Sequence, residues 1–461
     1  MKKVVLIAPP EEYITKDYLP HLGLGYIAAV LEMANHEVQI IDAPILKLTV
    51  DDVIKKVQNL APHIVGITAT THSRFNAIKI LQGIRDLPCI KVLGGVHFSL
   101  TDVDALKHSP ADIIVRGEGE YTLLEIANDK PWETIRGITY RKDGYIVRNE
   151  DRPFIDLNTL PLPARHLFPM HKYNARLEGE YRTQSTSIIT SRGCPNECIF
   201  CVNKVYWKRI LRKRSPTSVV DEIENIIETY SIRGFDFWDD TFTVDKNHAT
   251  NICKEILRRN LDIVWYARVR IDTVNEELLE LMRKAGCIAI SFGIESGSPR
   301  ILQILKKNID IKKAIQYTEI CSKLGFHTKV FFMFNHPYET IEDVMLTIKL
   351  INRLRKFRNV HIATAVTAIY PGTEIEEIAK RERILPNDFS WNSPYYSERN
   401  AEFGLSPTVP YFEYIPFEVL FRVIRRKGIM TFIRNSIKGL IHNDFATLID
   451  KFNNKMAKLI I

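Results

Sequence analysis

The sequence has no apolar run near the roughly 20 residues that a helix needs to cross a bilayer. Its first apolar run, residues 4–8, is too short for a secretory-signal core and is followed by Glu11 and Glu12. The expected compartment is therefore the cytosol. Cysteine is scarce: seven thiols in 461 residues make no disulfide framework of the kind that staples small secreted domains. Thiols used so sparingly point to a reducing environment and to metal ligation. Charge of one sign is scarce outside a single segment. The formal excess is +8, and residues 421–461 carry nine Lys or Arg against Asp444 and Asp450, a local +7. The rest is almost neutral, which excludes a nucleic-acid groove running over the whole surface.

What the chain does have is alternation. Hydrophobic residues make up 45% and charged residues 26%, the balance of a globular protein, and the length exceeds one ordinary core. β-Branched runs at 3–8, 37–42, 63–68, 91–94 and 112–116 alternate with amphipathic stretches such as 24–33 and 50–60. This predicts an α/β fold whose N-terminal domain, residues 1–130, is a doubly wound parallel sheet. Ligands bind such sheets beyond the carboxyl ends of the strands. The residues there are Pro9-Pro10, Thr68 with Thr70 and Thr71, Gly94 and Gly95 with His97, and Gly117-Glu118-Gly119-Glu120. Glycines at strand ends let backbone approach a large ligand closely. Gly23 and Gly25, with Asp42 beyond, imitate a dinucleotide fingerprint, but that motif needs its first glycine directly after the first strand. Residues 9–21 intervene, so a nicotinamide or flavin dinucleotide is not expected.

A hairpin pattern at 138–148 and a proline-bearing stretch at 153–169 mark residues 131–180 as a linker. Alternation then resumes, with strands expected at 187–190, 235–238, 263–269, 287–293, 328–334 and 361–367. Six β/α units predict a partial parallel (β/α)6 barrel over 181–375, with its site at the carboxyl ends of the strands. Those ends carry Cys194, Cys198 and Cys201, Asp239 with Asp240, Arg268 with Arg270, Glu295 with Ser296, and the stretch 335–340. Three thiolates so spaced on a loop can converge on one iron–sulfur cluster, and three ligands for four irons leave one iron open. Paired aspartates can receive an ammonium and an arginine can fork onto a carboxylate, which suits an amino-acid-like ligand at that iron. Cys89, Cys253, Cys287 and Cys321 are isolated and read as core thiols.

The CxxxCxxC loop, with Phe200 just before its last cysteine, resembles that of the radical S-adenosylmethionine (SAM) enzymes. With the upstream sheet, the paired aspartates, Glu295-Ser296-Gly297 and the His336-Pro337 stretch, residues 1–375 are similar to the cobalamin-dependent members. The resemblance implies a Rossmann-like cobalamin-binding domain followed by a radical SAM barrel. It implies that Cys194, Cys198 and Cys201 hold a 4Fe–4S cluster. Phe200, Asp239, Asp240, Arg268, Glu295 and Ser296 would contact SAM, and Thr68, Thr70, Thr71, Gly94, Gly95, His97, Gly117, Glu118, Gly119 and Glu120 cobalamin. Two departures stand out. There is no DxHxxG motif to ligate cobalt from below, the nearest candidate being Asp42-Ala-Pro44, and Asn335 replaces a glycine common before that His-Pro pair.

The implied activity is C-methylation: a 5′-deoxyadenosyl radical takes hydrogen from an unactivated carbon, which then receives the methyl group of methylcobalamin. A ring-forming or rearranging enzyme of the same fold is the alternative. A tRNA-modifying radical SAM enzyme fits less well because the charge excess is confined to the tail, and a plain electron carrier because carriers usually hold a cluster through four protein ligands. The implied partners are a ferredoxin or flavodoxin as reductant and a small-molecule or lipid-like substrate. Residues 376–461 are expected as a C-terminal helical, basic segment that caps the barrel: a helix to about Arg383, an aromatic, proline-bearing loop from Trp391 to Pro416, and two or three amphipathic helices from Phe417 on; the sharper alternative is contact of 421–461 with an anionic membrane surface.

Overall fold

A computed structural model describes residues 1–11, 18–177 and 180–426. The predicted first five strands form as β1 (Lys3–Ala8), β2 (Glu37–Asp42), β3 (Ile64–Thr68), β4 (Ile90–Gly94) and β5 (Ile113–Val115). They pair in parallel, and the sheet order β2-β1-β3-β4-β5 brings the ends of β1, β3, β4 and β5 to one edge. Val5, Ile7, Val65, Ile67 and Leu93 pack under one set of helices, while Val4, Leu6, Ile64 and Val92 pack under the other. Burial on both faces is why these strands read as unbroken apolar runs. The hairpin expected in the linker forms as β6 (Ile138–Lys142) and β7 (Tyr145–Arg148). It is not a free connector, however, because β6 pairs antiparallel with β5 and extends the sheet.

The second sheet is built from β8 (Arg176–Leu177), β9 (Glu180–Ile188), β12 (Gly234–Phe237), β13 (Val264–Arg268), β14 (Cys287–Glu295), β15 (His327–Phe334) and β16 (Val360–Val366). A separate ribbon joins β10 (Ser191–Arg192) to β11 (Arg212–Lys213). The order β16-β15-β14-β13-β12-β9-β8 contains the six expected parallel strands, with β8 added antiparallel at one edge. Helix starts follow the sequence signals. Ser215 caps the helix Pro216–Tyr230 by accepting from Ser218 N, and Thr340 and Asp343 form a capping box on Ile341–Leu354.

The C-terminal part runs as a helix, a long irregular stretch and a further helix, in the order read from the sequence. Between the helices Glu374–Arg381 and Phe417–Arg426 only Glu398–Glu402 is helical, and the rest is an irregular strap carrying buried Trp391 and Phe412. No helix among the described residues is long and apolar enough to cross a membrane. The membrane-facing tail proposed from sequence lies, from residue 427 on, outside the described residues.

The connection 149–175 is pinned by charge. Arg165 donates to Glu222 at 2.8 Å and to Ser187 O at 2.7 Å, Arg214 also pairs with Glu222, and all three side chains are buried. Burial works against the Glu222 charge, but Arg214 and Arg165 outweigh it and hold the carboxyl below its usual range. Removing the carboxylate strands two buried guanidiniums. Glu222→Ala is therefore expected to lower folding stability by about 3–5 kcal/mol, measured by urea denaturation of the apo chain.

Candidate functional site

The cysteine loop leaves β9 through a turn that only glycine fits. Gly193 sits at φ +100°, and a Cβ there would meet Ile210 O at 2.0 Å. Gly193 N donates to Asp240 Oδ2 at 2.9 Å, and Asn203 Nδ2 donates to Asp240 Oδ1 at 2.6 Å, so one carboxylate ties the start of the loop to its end. Asp239 is buried and accepts from Thr190 Oγ1 at 2.8 Å and from Ser191 Oγ. Burial raises its pKa to about 6 despite those bonds. The aspartates, expected to receive a ligand ammonium, thus spend hydrogen bonds on the loop; Asp240 lines both of the cavities described below and Asp239 neither.

Cys194, Cys198 and Cys201 open together on a cavity of about 980 Å³ inside the half-barrel. Asn196 Nδ2 lies 3.0 Å from Cys194 Sγ, and Arg270 Nη1 lies 3.7 Å from Cys198 Sγ. Burial pushes the Cys201 thiol up to about 12. Burial does the same to the isolated Cys253 and Cys321, so it is the convergence of three thiols on one cavity that fits a cluster. Phe200, Arg268, Arg270, Glu295 and Lys307 share the cavity wall. Glu295 stands at φ +72° on a β-bulge in β14 and pairs with buried Lys307 at 2.9 Å; Lys307 Nζ lies 5.9 Å from the Phe200 ring centroid. Arg268 pairs with Asp236 at 2.6 Å. Ser296 is not on this wall: it is buried, and it caps Ser298 N while sharing a bond with Thr347.

A second cavity, of about 330 Å³, lies on the other side of the Trp238–Asp240 strand end. Thr68, Thr70, Gly94, Gly95, Gly117, Glu118, Gly119 and Glu120 line its floor, and Arg192, Tyr206, Trp207, Trp238 and Asp240 close it from the barrel side. Gly95 lies at φ +87°, where a Cβ would meet Thr68 Oγ1 at 2.5 Å, and Gly117, at φ +73°, has nothing within 4 Å of where its Cβ would stand. The imidazole of His21, on the same wall, has a buried Nδ1 with no partner. Open glycine edges and an orphaned nitrogen fit a large polar cofactor such as cobalamin. Two expected contacts lie elsewhere. Thr71 shares a hydrogen bond with His97 Nδ1 at 3.1 Å, and His97 Nε2 meets Asn392 of the C-terminal strap at 3.3 Å.

One residue that the sequence pattern does not single out ties the cluster loop to the first domain. Arg192, buried one step before Gly193, donates to Glu118 at 2.6 Å and to Glu120 at 2.8 Å. Burial opposes its charge, but Glu120 and Glu118 overcome this and raise its pKa above the ordinary value. Arg212 adds contacts to both Glu118 oxygens, and Tyr206 OH donates to Gly117 O at 2.9 Å. No local pattern signals a pair separated by 72–74 residues; only the position beside CxxxCxxC was visible.

The comparisons with known proteins agree with this layout. The model of the B12 binding domain matches residues 15–127, and that of the radical SAM superfamily matches residues 188–351. A methyltransferase of Pyrococcus horikoshii, itself uncharacterised, is 35% identical over 397 residues, which cover 83% of this chain and 84% of the relative. The cytidylyl-2-hydroxyethylphosphonate methyltransferase of Streptomyces wedmorensis is 28% identical over 391 residues, 73% of each chain. The structure of the radical SAM methyltransferase TsrM from Kitasatospora setae, with cobalamin and a 4Fe–4S cluster bound, shares the fold. Its TM-score is 0.69 at 22% identity, over 82% of this chain and 78% of that one.

Two outcomes are expected from this geometry. Glu118→Gln weakens the hold on two arginines and lowers stability by about 3 kcal/mol, read in a thermal melt of the apo chain. The second concerns Glu339, after β15, whose Oε1 is buried without a partner while Oε2 accepts from Asn335 N and His336 N. Burial raises its pKa from 4.5 to about 8. The folded carboxyl is then neutral where the unfolded one is ionised, so wild-type stability falls as pH rises between those values. Melting curves across that window should show the Tm advantage of Glu339→Gln widening with pH and levelling off above about 8.

With two matching domains in one chain and a relative at this identity over most of both lengths, the chain belongs to the cobalamin-dependent radical SAM enzymes.

Proposed function

We propose that the chain is a methyltransferase that places a methyl group on an unactivated carbon of a small molecule. The observation that carries this reading is the shared wall: the Trp238–Asp240 strand end separates the thiol-lined cavity from the glycine-edged one, so groups held in the two are neighbours. When bound, the cluster supplies the electron that splits SAM into a hydrogen-abstracting radical, and cobalamin supplies the methyl group.

The chain's own residues position and seclude. Cys194, Cys198 and Cys201 would hold the cluster and leave one iron for the amino-acid end of SAM. Arg270 and Lys307 are the nearby cations that suit a carboxylate, and Phe200 gives the adenine an aromatic neighbour. Glu118, Glu120 and the glycines around them, with Thr68 and Thr70, would hold cobalamin against the barrel. The apolar residues Leu24, Ile27, Val92 and Leu123 keep that cavity dry. An external one-electron donor, a reduced ferredoxin or flavodoxin, completes the system.

The test is anaerobic reconstitution with iron, sulfide and hydroxocobalamin, followed by assay with SAM and a low-potential one-electron reductant. The loaded enzyme is expected to consume SAM and release both 5′-deoxyadenosine and S-adenosylhomocysteine. Replacing Cys194, Cys198 and Cys201 by Ala should remove the brown absorbance and the cleavage together, and cleavage that persists refutes the assignment. Release of 5′-deoxyadenosine with no S-adenosylhomocysteine points instead to ring closure or rearrangement.

A further inference from the structure

Five cations line the thiol-lined cavity, Arg176, Arg268, Arg270, Lys307 and Lys329, against the three carboxylates Asp236, Asp240 and Glu295. Three of its cations are matched: Arg268 by Asp236 at 2.6 Å, Arg270 by Asp272 at 2.9 Å and Lys307 by Glu295 at 2.9 Å. Lys329 and Arg176 line the same cavity, and neither forms an ion pair among the described residues. Lys329 is half-buried and Arg176 exposed, so both keep part of their hydration and both are open to an anion that enters the cavity.

The position of Lys329 follows from strand alternation. Along β15, Thr328, Val330, Phe332 and Phe334 are buried in the core, while Lys329, Phe331 and Met333 fall on the opposite, more open face. Lys329 Nζ stands 5.6 Å from the Phe331 ring centroid. In register it is level with Ser291 on β14 and, through Ser291, with Arg268 on β13. Arg176 approaches from β8, the far edge of the sheet, beside Leu177. The wall between these cations is apolar: Leu177, Phe331, Met333 and Ala365.

SAM does not account for this charge. On the reading above, its single carboxylate goes to the cluster, beside Arg270 and Lys307 at the carboxyl ends of the strands. Glu295, which holds Lys307, pairs in register with Phe332, so Lys329, three residues earlier on β15, lies deeper in the half-barrel than that pair.

We propose that this face is the substrate subsite and that the substrate is an amphipathic anion. Its phosphoryl or carboxylate group is held by Lys329, with Arg176 at the rim, and its apolar body lies against Phe331 and Met333. This rests on the methyltransferase reading, because that reading puts SAM elsewhere in the cavity.

The test is calorimetric titration of the anaerobically reconstituted, SAM-saturated enzyme with three probes of the same apolar body: benzyl phosphate, phenylacetate and benzyl alcohol. At least one anion is expected to bind about tenfold more tightly than the alcohol, and the stronger of the two identifies the charged group. Lys329→Met should erase that preference and Lys329→Arg should restore it, with cluster absorbance confirming that both variants are folded. Equal binding of all three probes, or a preference that survives in Lys329→Met, overturns the proposal. If the unmodified enzyme still makes S-adenosylhomocysteine in that case, the subsite assignment alone has failed; if it binds neither cluster nor cobalamin, the functional reading has failed.

Discussion

Arg192 is the contact on which the two-cavity arrangement depends. A guanidinium removed from water must find its counter-charges, and the ones it finds, Glu118 and Glu120, belong to the other domain. Because Arg192 is covalently two residues from Cys194, meeting that electrostatic demand also sets where the cluster loop stands relative to the glycine edge of the first sheet. Arg212, opposite Arg192 in the β10–β11 ribbon, repeats the demand on Glu118. The pairing has geometric value beyond its net energy. Fork-shaped donors and carboxylates lock orientation as well as distance, which a purely apolar seam between domains does not do.

The strap at the C-terminal side gives the arrangement a second fastening. Arg74 of the first domain, fully buried, donates to Trp391 O and Thr408 O at 2.7 Å each, and Asn392 meets both His97 and Asp104. On the barrel side the same segment holds the 335–340 loop, where Asn335 Nδ2 donates to Ile415 O and its Oδ1 accepts from Ile415 N. One run of irregular chain therefore touches the edge of the first sheet and the end of β15. With the Arg192 cluster on one side and the strap on the other, the cleft between the domains is fixed at two separated places, which restrains hinge motion about either one.

The regular part of this fold is legible in the sequence because its signals are local. All six barrel strands and all five parallel strands of the first sheet lie within a few residues of their sequence positions, except that β9 begins earlier, at Glu180. The cysteine loop is legible because three thiols at fixed spacing on one short loop rarely arise except as ligands of a shared metal group. Direction is harder to read. Asp239, Ser296, Thr71 and His97 all sit at strand ends, as ligand residues do, yet their hydrogen bonds go to Thr190, Thr347, each other or the strap. Period-two and period-3.6 patterns tell which side of an element faces a core; they do not tell which of two polar neighbours a loop side chain will choose. The hairpin at 138–148 is visible as a hairpin, but its place in the first sheet rather than in a linker is not, since pairing of β6 with β5 is a contact across 23 or more residues.

Asp240 shows how the wall between the cavities can be polar without being reactive. It lines both spaces, and burial raises its pKa, the usual mark of a proton donor or acceptor. Geometry argues otherwise. One oxygen is taken by Gly193 N and the other by Asn203 Nδ2, both from the loop it supports, so taking up a proton would compete with a hydrogen bond that holds the loop. Hydrogen-atom abstraction by a carbon radical needs no general acid, and a readily available proton near the site would only invite side reactions. A carboxylate bonded through both oxygens to the loop is then a suitable partition, because it fixes the cluster loop from beneath.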